Sequence, residues 1–406
     1  MIILGIETSC DETAAAIVKD GQILLSNVVA SSQKIHQKYG GIVPEIAARK
    51  QIEYITPVVK EALADIPKEK IDAIAVTVGP GLIGSLLVGV EFAKTLSYLW
   101  QKPIIPVNHL VGHIYGNFLI QNSKIKMQNY NLKFKIDKSS LPSLSSQPPQ
   151  LPVEFPALVL IVSGGHTELV LMKDHGVFEN IGGTRDDAAG EAFDKAARLL
   201  NLGYPGGPAI QKAAARGNPK AFNLPRPLFN SPDFDFSFSG LKTALFQTVG
   251  AGGKELGASL RFSSANNGAP LPPSPYPLAP TSDLAASFQQ AVIDCLIHKT
   301  LKASQTYQVK SFLLAGGVAA NLALRSALRS HLLRNPALSL KERGYSPQSP
   351  ECSGRRGTGA TSQEIAFFAP PLELCTDNAA AIASAAFFNF KPVPWQKIKV
   401  DPGLNI

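Results

Sequence analysis

Two histidines one helical turn apart, His109 and His113, are the residues of this chain best spaced to do chemistry together. At i and i+4 on a helix their imidazoles share one face, and a distant carboxylate such as Asp377 completes a two-histidine, one-carboxylate metal site with open positions for substrate. A His-x-x-x-His pair among seven histidines is also what a solvated or capping coincidence looks like, so the surroundings have to decide. Spacing excludes one alternative. A zincin peptidase needs His-Glu-x-x-His with the glutamate as general base, and here Leu110 follows His109.

Glycine-rich turns follow several apolar runs. Val76-Thr77-Val78-Gly79-Pro80-Gly81 leads into an apolar helical stretch, Leu313-Leu314-Ala315-Gly316-Gly317 leads toward Asn321, and Tyr204-Pro205-Gly206-Gly207-Pro208 and Ser163-Gly164-Gly165 are further cases. Backbone amides and helix N-termini at such turns can hold an anion, and Asn321 is placed to contact a base or ribose. Each alone is equally a tight turn that uses glycine for its backbone freedom. None carries the Gly-Lys-Ser/Thr ending of a P-loop.

The elements that must position these residues form a weak repeat. Residues 2–29 read as strand, polar turn (Asp11-Glu12-Thr13), strand and strand, and residues 157–181 repeat that grammar around Ser163-Gly164-Gly165-His166-Thr167. Two such units predict a duplicated α/β fold of two lobes with a ligand cleft between them. The division expected is a first lobe over 1–108, with a C-terminal segment from about 380 to 406 packing back on it, and a second lobe over 109–379. Stretches near 121–152, 250–282 and 334–370 have the Lys-, Ser-, Gly- and Pro-rich composition of inserted surface loops. The first contains an alternating basic segment, Lys124 to Lys138, that reads as a hairpin, either tracking a nucleic-acid backbone or simply solvated.

Composition bounds the rest. At 406 residues and 45% hydrophobic the chain can bury a large core, and no apolar run reaches the length of a membrane span. The opening Met1-Ile2-Ile3-Leu4-Gly5 lacks the basic flank of a secretion signal, so a cytoplasmic location is expected. Cys10, Cys295, Cys352 and Cys375 show no C-x-x-C spacing, which argues against a disulfide framework or a cysteine zinc site. A net charge of +8 permits a nucleic-acid partner without requiring one.

Longer strings then narrow the reading. Gly5-Ile6-Glu7-Thr8-Ser9-Cys10-Asp11-Glu12-Thr13, Gly40-Gly41-Ile42-Val43-Pro44-Glu45, Val162-Ser163-Gly164-Gly165-His166-Thr167, the run Asp186 to Lys195, the run Asp235 to Thr243 and Cys375-Thr376-Asp377-Asn378 together closely resemble the TsaD/Gcp family. The match runs in order from about residue 2 to residue 390. The resemblance implies an actin/Hsp70-like (ASKHA, RNase H-like) two-lobed fold with a nucleotide cleft. It also implies transfer of a threonylcarbamoyl group from threonylcarbamoyl-AMP to N6 of the adenosine just 3′ of the anticodon, in tRNAs reading codons that begin with A. Carried over by position, the metal ligands would be His109, His113 and Asp377, with Fe(2+) or Zn(2+) as the ion. The adenylate would be held by Ile161, Val162, Ser163, Gly164, Gly165, Asp194, Gly207 and Asn321. Implied partners are tRNA, a TsaB-like paralogous subunit, a TsaE-like P-loop ATPase and the synthase that supplies the donor, with no membrane.

Chemistry adds two candidates. Glu12 and Asp11, in the first polar turn, could orient or deprotonate the attacking amine; the alternative is that Asp11 only forms an Asx turn and Glu12 lies outside the cleft. Lys195 reads as a structural ion-pair partner. Three departures from the family pattern stand out. Val111 replaces a common acidic residue between the histidines, and Ala48 and Gln51 stand where the family often has serine and histidine. A non-catalytic nucleotide-binding scaffold is the remaining alternative, and keeping His109, His113 and Asp377 together argues against it.

Overall fold

A computed structural model of the chain describes residues 1–64, 66–120, 128–129, 153–251, 281–334 and 365–406. In chain order the strands are β1 (Ile2–Glu7), β2 (Glu12–Lys19), β3 (Ile23–Ser31), β4 (Ala73–Gly79), β5 (Ile104–Asn108), β6 (Gln128–Asn129), β7 (Ala157–Val162), β8 (Thr167–Asp174), β9 (Val177–Gly183), β10 (Ser311–Ala315) and β11 (Ala366–Phe368). The helices are α1 (Gln33–His36), α2 (Pro44–Ala62), α3 (Ile83–Trp100), α4 (His109–Tyr115), α5 (Ala189–Leu199), α6 (Gly206–Ala214), α7 (Ser239–Ala251), α8 (Thr281–Thr306), α9 (Leu322–Arg334) and α10 (Ala379–Phe388).

The repeat seen in the sequence is a repeat in space. One sheet runs β5-β4-β1-β2-β3, extended at its edge by β6, and the other runs β11-β10-β7-β8-β9. In each, three consecutive strands form an antiparallel meander and the next two add in parallel beside the first. The central strands β4 and β7 are buried along their whole length, as parallel-side strands covered on both faces must be.

Helices alternate with the sheets. The outer face of the first sheet packs on α2 and α3 through Ile55, Val59 and Val90, and the outer face of the second packs on α5 to α9 through Phe193, Phe288 and Leu328. Between the sheets lie α4 and α10, where Leu110, Ile114, Ala383 and Ile382 touch Ile3 and Ala16 on one side and Val159 and Leu313 on the other. Small residues permit this close approach. A Cβ on Gly112 would run into Ile382, and one on Gly5 would strike the Ala379 carbonyl. The chain end returns to the first sheet: Val393 bridges to Ile104, and the Asp401 amide donates to the Val78 carbonyl at 2.8 Å.

Two expectations change. The third insert-like stretch stops short of residue 370, because Ala366–Phe368 pairs with β10 as the edge strand of the second sheet. Of the basic hairpin expected between Lys124 and Lys138, only Gln128–Asn129 is described, and it pairs in parallel with Val28 and Val29; the rest lies outside the described residues. No described helix is long and apolar enough to cross a membrane. Cys10, Cys295 and Cys375 are free thiols, and Cys352 lies outside the described residues.

Candidate metal centre and nucleotide cleft

The two inter-sheet helices bring His109, His113 and Asp377 together, and an asparagine sets the start of each. Asn108 ends β5 and accepts hydrogen bonds from the Leu110 and Val111 amides at 2.8 and 3.2 Å, so the helix begins at His109. Asn378 caps α10 by accepting from the Ala381 amide at 3.0 Å, which fixes Asp377 just before the first turn. The ligand atoms of His109, His113 and Asp377 all lie within 4.8 Å of one another. Asp377 Oδ1 stands 3.6 Å from His109 Nε2 and 3.3 Å from His113 Nε2. His113 Nε2 is buried and makes no hydrogen bond of good geometry, the condition of a ligand atom reserved for a cation.

Glu7 orients the site. Its Oε2 lies 3.0 Å from His109 Nδ1 and accepts the Thr77 hydroxyl at 2.6 Å, while its other oxygen accepts the Ser9 amide. A carboxylate on Nδ1 holds the proton there and turns Nε2 toward a metal. The acidic partner of His109 is thus a residue 102 positions upstream and not one between the two histidines. Burial alone would lower the His109 pKa, but Glu7 and Asp377 raise it to about 9 in the metal-free protein. Burial opposes ionisation of Asp377, yet His109 and His113 hold its carboxyl down to about 2. A divalent cation fits this cluster of two imidazoles and a carboxylate.

Across the cleft the β7–β8 turn presents bare backbone. Ile161 and Val162 are strand residues with fully buried side chains, so only their main chain can reach a ligand. Ser163 Oγ accepts from the His166 amide at 3.1 Å, and Gly164 and Gly165 are exposed, with open space where a side chain would be. Asp194 Oδ1 accepts from the Gly206 amide at 2.7 Å at the start of α6, and burial raises its pKa. Gly207 next to it is open. Asn321 is buried and already engaged: it caps α9 through the Leu324 amide at 3.0 Å and donates to Gln289 at 2.9 Å. Its side chain therefore serves the helix first.

Asp11 is buried and Glu12 opens β2. Burial, then the neighbouring Asp11 and Asp377 charges, push the Glu12 carboxyl well above its usual range. Ser31 Oγ donates to it at 3.2 Å. Sequence reasoning passed over His166 and Tyr204, which face the same cleft: His166 is lowered by burial and by His109 and His113, and Tyr204 is raised by burial and by Asp11 and Asp194. It also left Gln51 in doubt. That side chain is buried, and its amide donates to the Thr8, Cys10 and Glu12 carbonyls at 3.2, 2.9 and 3.1 Å, clamping the whole first turn. Arg49 instead pairs with Glu45 on the exposed side of α2. Lys195 is the ion-pair residue expected, 2.7 Å from Asp187 and 2.8 Å from Glu191.

Two lobes built on the same five-stranded pattern, with helices between and outside the sheets, define an ASKHA-type fold. The fold agrees with a solved structure of HypF from T. kodakarensis, at a TM-score of 0.51 and 13% identity over 96% of this chain and 47% of that one. Sequence comparison goes further. The profile of the TsaD family, tRNA N6-adenosine threonylcarbamoyltransferase, matches residues 23–127 and 141–342. The chain is 48% identical to the enzyme of that name from Thermomicrobium roseum, over 96% of this chain and 92% of its relative. It is 44% identical to that of Bacillus subtilis strain 168, over 96% and 91%. The chain belongs to the TsaD family, the acyltransferases that modify N6 of a tRNA adenosine.

Proposed function

We propose that this chain takes threonylcarbamoyl-AMP as donor and the adenosine just 3′ of the anticodon as acceptor, in tRNAs whose codons begin with A. The N6–carbonyl carbon bond forms, the bond from that carbon to the adenylate phosphate oxygen breaks, AMP leaves, and N6 gives up one proton. The observation that carries the reading is the convergence of His109, His113 and Asp377 in the same cleft as the open Ser163–Gly165 turn.

Each residue type suits its part. Backbone amides of Gly164 and Gly165 and the Ser163 hydroxyl donate to the adenylate phosphate, whose charge grows as it departs. Asp194 and the main chain at Gly207 position the nucleoside, and Asn321 holds the helix start beside it. His109, His113 and Asp377 would hold Fe(2+) or Zn(2+), a Lewis acid and template that keeps positions free for substrate oxygens. Glu12, with its carboxyl pKa raised by burial and by its acidic neighbours, is the group suited to receive the N6 proton, and Asp11 tunes it by charge.

Partners follow the same reading. Ile52 on α2 and Ile83 and Leu87 on α3 expose 65%, 58% and 43% of their surface, an apolar face suited to a TsaB-like subunit. A TsaE-like ATPase and the donor-supplying synthase complete the system. The test is the N6-threonylcarbamoyladenosine content of tRNA, by mass spectrometry of nucleosides, in cells depleted of this protein and rescued with wild type or His109→Ala. Restoration by wild type alone, with loss of bound metal from the purified variant, is the expected result. Normal modification after depletion, or full rescue by a metal-free His109→Ala protein, would overturn it.

A further inference from the structure

A groove of about 600 Å³ opens beside the β7–β8 turn, and beyond Gly165 its lining has no part in the chemistry so far. It starts at Gly165 and His166, follows the β8–β9 edge past Glu168, and ends at Arg185 and Asp235. His166 borders both spaces, because its imidazole lies near enough to His109 and His113 to feel their charge. The volume suits a nucleoside.

The lining selects the ligand. Arg185 Nε and Nη2 are tied to Asp235 and Asp233 at 2.8 and 2.6 Å, so the only arginine of the lining is already neutralised and offers little to a phosphate. What those ties do is fix the guanidinium plane while leaving the side chain 54% exposed, and a fixed guanidinium plane is a stacking platform for a base. On the wall beside it, Glu168 Oε2 accepts from Asn180 Nδ2 at 3.1 Å. Among the described residues the Glu168 carboxyl has no further hydrogen-bond partner, which leaves an acceptor for a ligand N–H.

The reaction needs a reader of this kind. Codons beginning with A pair with a uridine immediately 5′ of the acceptor adenosine, so substrate choice turns on that one base. We propose that the groove holds this uridine, stacked on Arg185, with its N3–H donated to Glu168. Cytosine has no hydrogen at N3 and loses that bond. The inference rests on the transferase reading above.

The experiment uses the full protein with its partner subunits and threonylcarbamoyl-AMP, and compares initial rates on tRNA carrying U or C just 5′ of the acceptor. Arg185→Ala raises KM for tRNA about ten- to a hundredfold, the range for losing one stacked base, while the KM for donor stays within about twofold. Arg185→Lys keeps the charge between Asp233 and Asp235 but has no plane, so it shows the same loss; recovery of the wild-type KM by lysine would make the role merely structural and overturn the proposal. Glu168→Ala brings the rates on U and C together, and an unchanged preference in that variant would likewise overturn it. Failure of the transferase reading looks different, since wild type would then modify neither tRNA.

Discussion

The two hairpin turns that face the cleft descend from the same strand pattern but are built in opposite ways. Residues 8–12, between β1 and β2, are packed from both sides. Gln51 of α2 holds three of their carbonyls, Ser85 of α3 donates to the Cys10 carbonyl at 3.0 Å, and Leu82 donates to the Ser9 carbonyl at 2.8 Å. Residues 163–166, between β7 and β8, have glycine and open space where the first turn has side chains and helices. One topology thus supplies a packed wall that carries carboxylates toward His109, His113 and Asp377 and a bare wall that is open at Gly164 and Gly165. A duplicated fold gains an asymmetric cleft by filling one copy of a turn and emptying the other.

That contrast can be broken with one methyl group on each side. In Gly81→Ala the new Cβ would come to 2.5 Å from the Ser9 carbonyl oxygen, which has backbone on both sides and little freedom to move. A loss of about 2–4 kcal/mol in unfolding free energy is expected, measured by denaturant titration. Gly165→Ala meets nothing within 4 Å, so its stability should match wild type within about 0.5 kcal/mol. Its methyl enters ligand space instead, and affinity for AMP should fall. If both variants behave alike, the filled and empty turns are not the distinction described here.

The next effect sharpens the part the filled turn plays. Glu7→Gln keeps the shape but replaces the carboxylate that fixes His109 Nδ1. Metal affinity should drop about 10- to 100-fold, the usual cost of losing a carboxylate behind a ligating histidine, measured by competition with a chelator. An unchanged affinity would mean that Glu7 only fills a buried polar space beside Thr77.

What was legible in the sequence divides along the same line. The duplicated strand grammar and the His-x-x-x-His spacing are local patterns, and they appear in the structure as two matched sheets and as two histidines on one face of α4, close to Asp377. The contacts that tune the site are long-range, so no local period reports them: Glu7 reaches His109 across 102 residues, and Gln51 reaches back 43 to Thr8. A lone glutamate ending the otherwise apolar run Ile2–Glu7 was the one available signal for the first. Asn321 shows the converse limit. An asparagine after a Gly-Gly turn fits a ligand contact and a helix cap equally, and only the geometry reveals the cap on α9.

The smallest effect tests whether the filled wall stores strain for chemistry. Glu12 has its carboxyl pKa raised above the ordinary 4.5, chiefly by burial and then by Asp11 and Asp377, so the folded protein binds that proton more tightly than the unfolded chain. Its contribution to stability is therefore complete below the unfolded value and is lost as pH rises through the folded one. Glu12→Gln cannot ionise and escapes that loss. Melting temperatures of the two proteins should differ least near pH 4, and the gap should then shift in the variant's favour, on the order of 2 °C, once pH passes the raised value. A constant difference at every pH would mean that Glu12 ionises as freely in the folded state as in the unfolded chain. The first turn would then be a passive wall, and the base for N6 would have to be sought on the open side of the cleft.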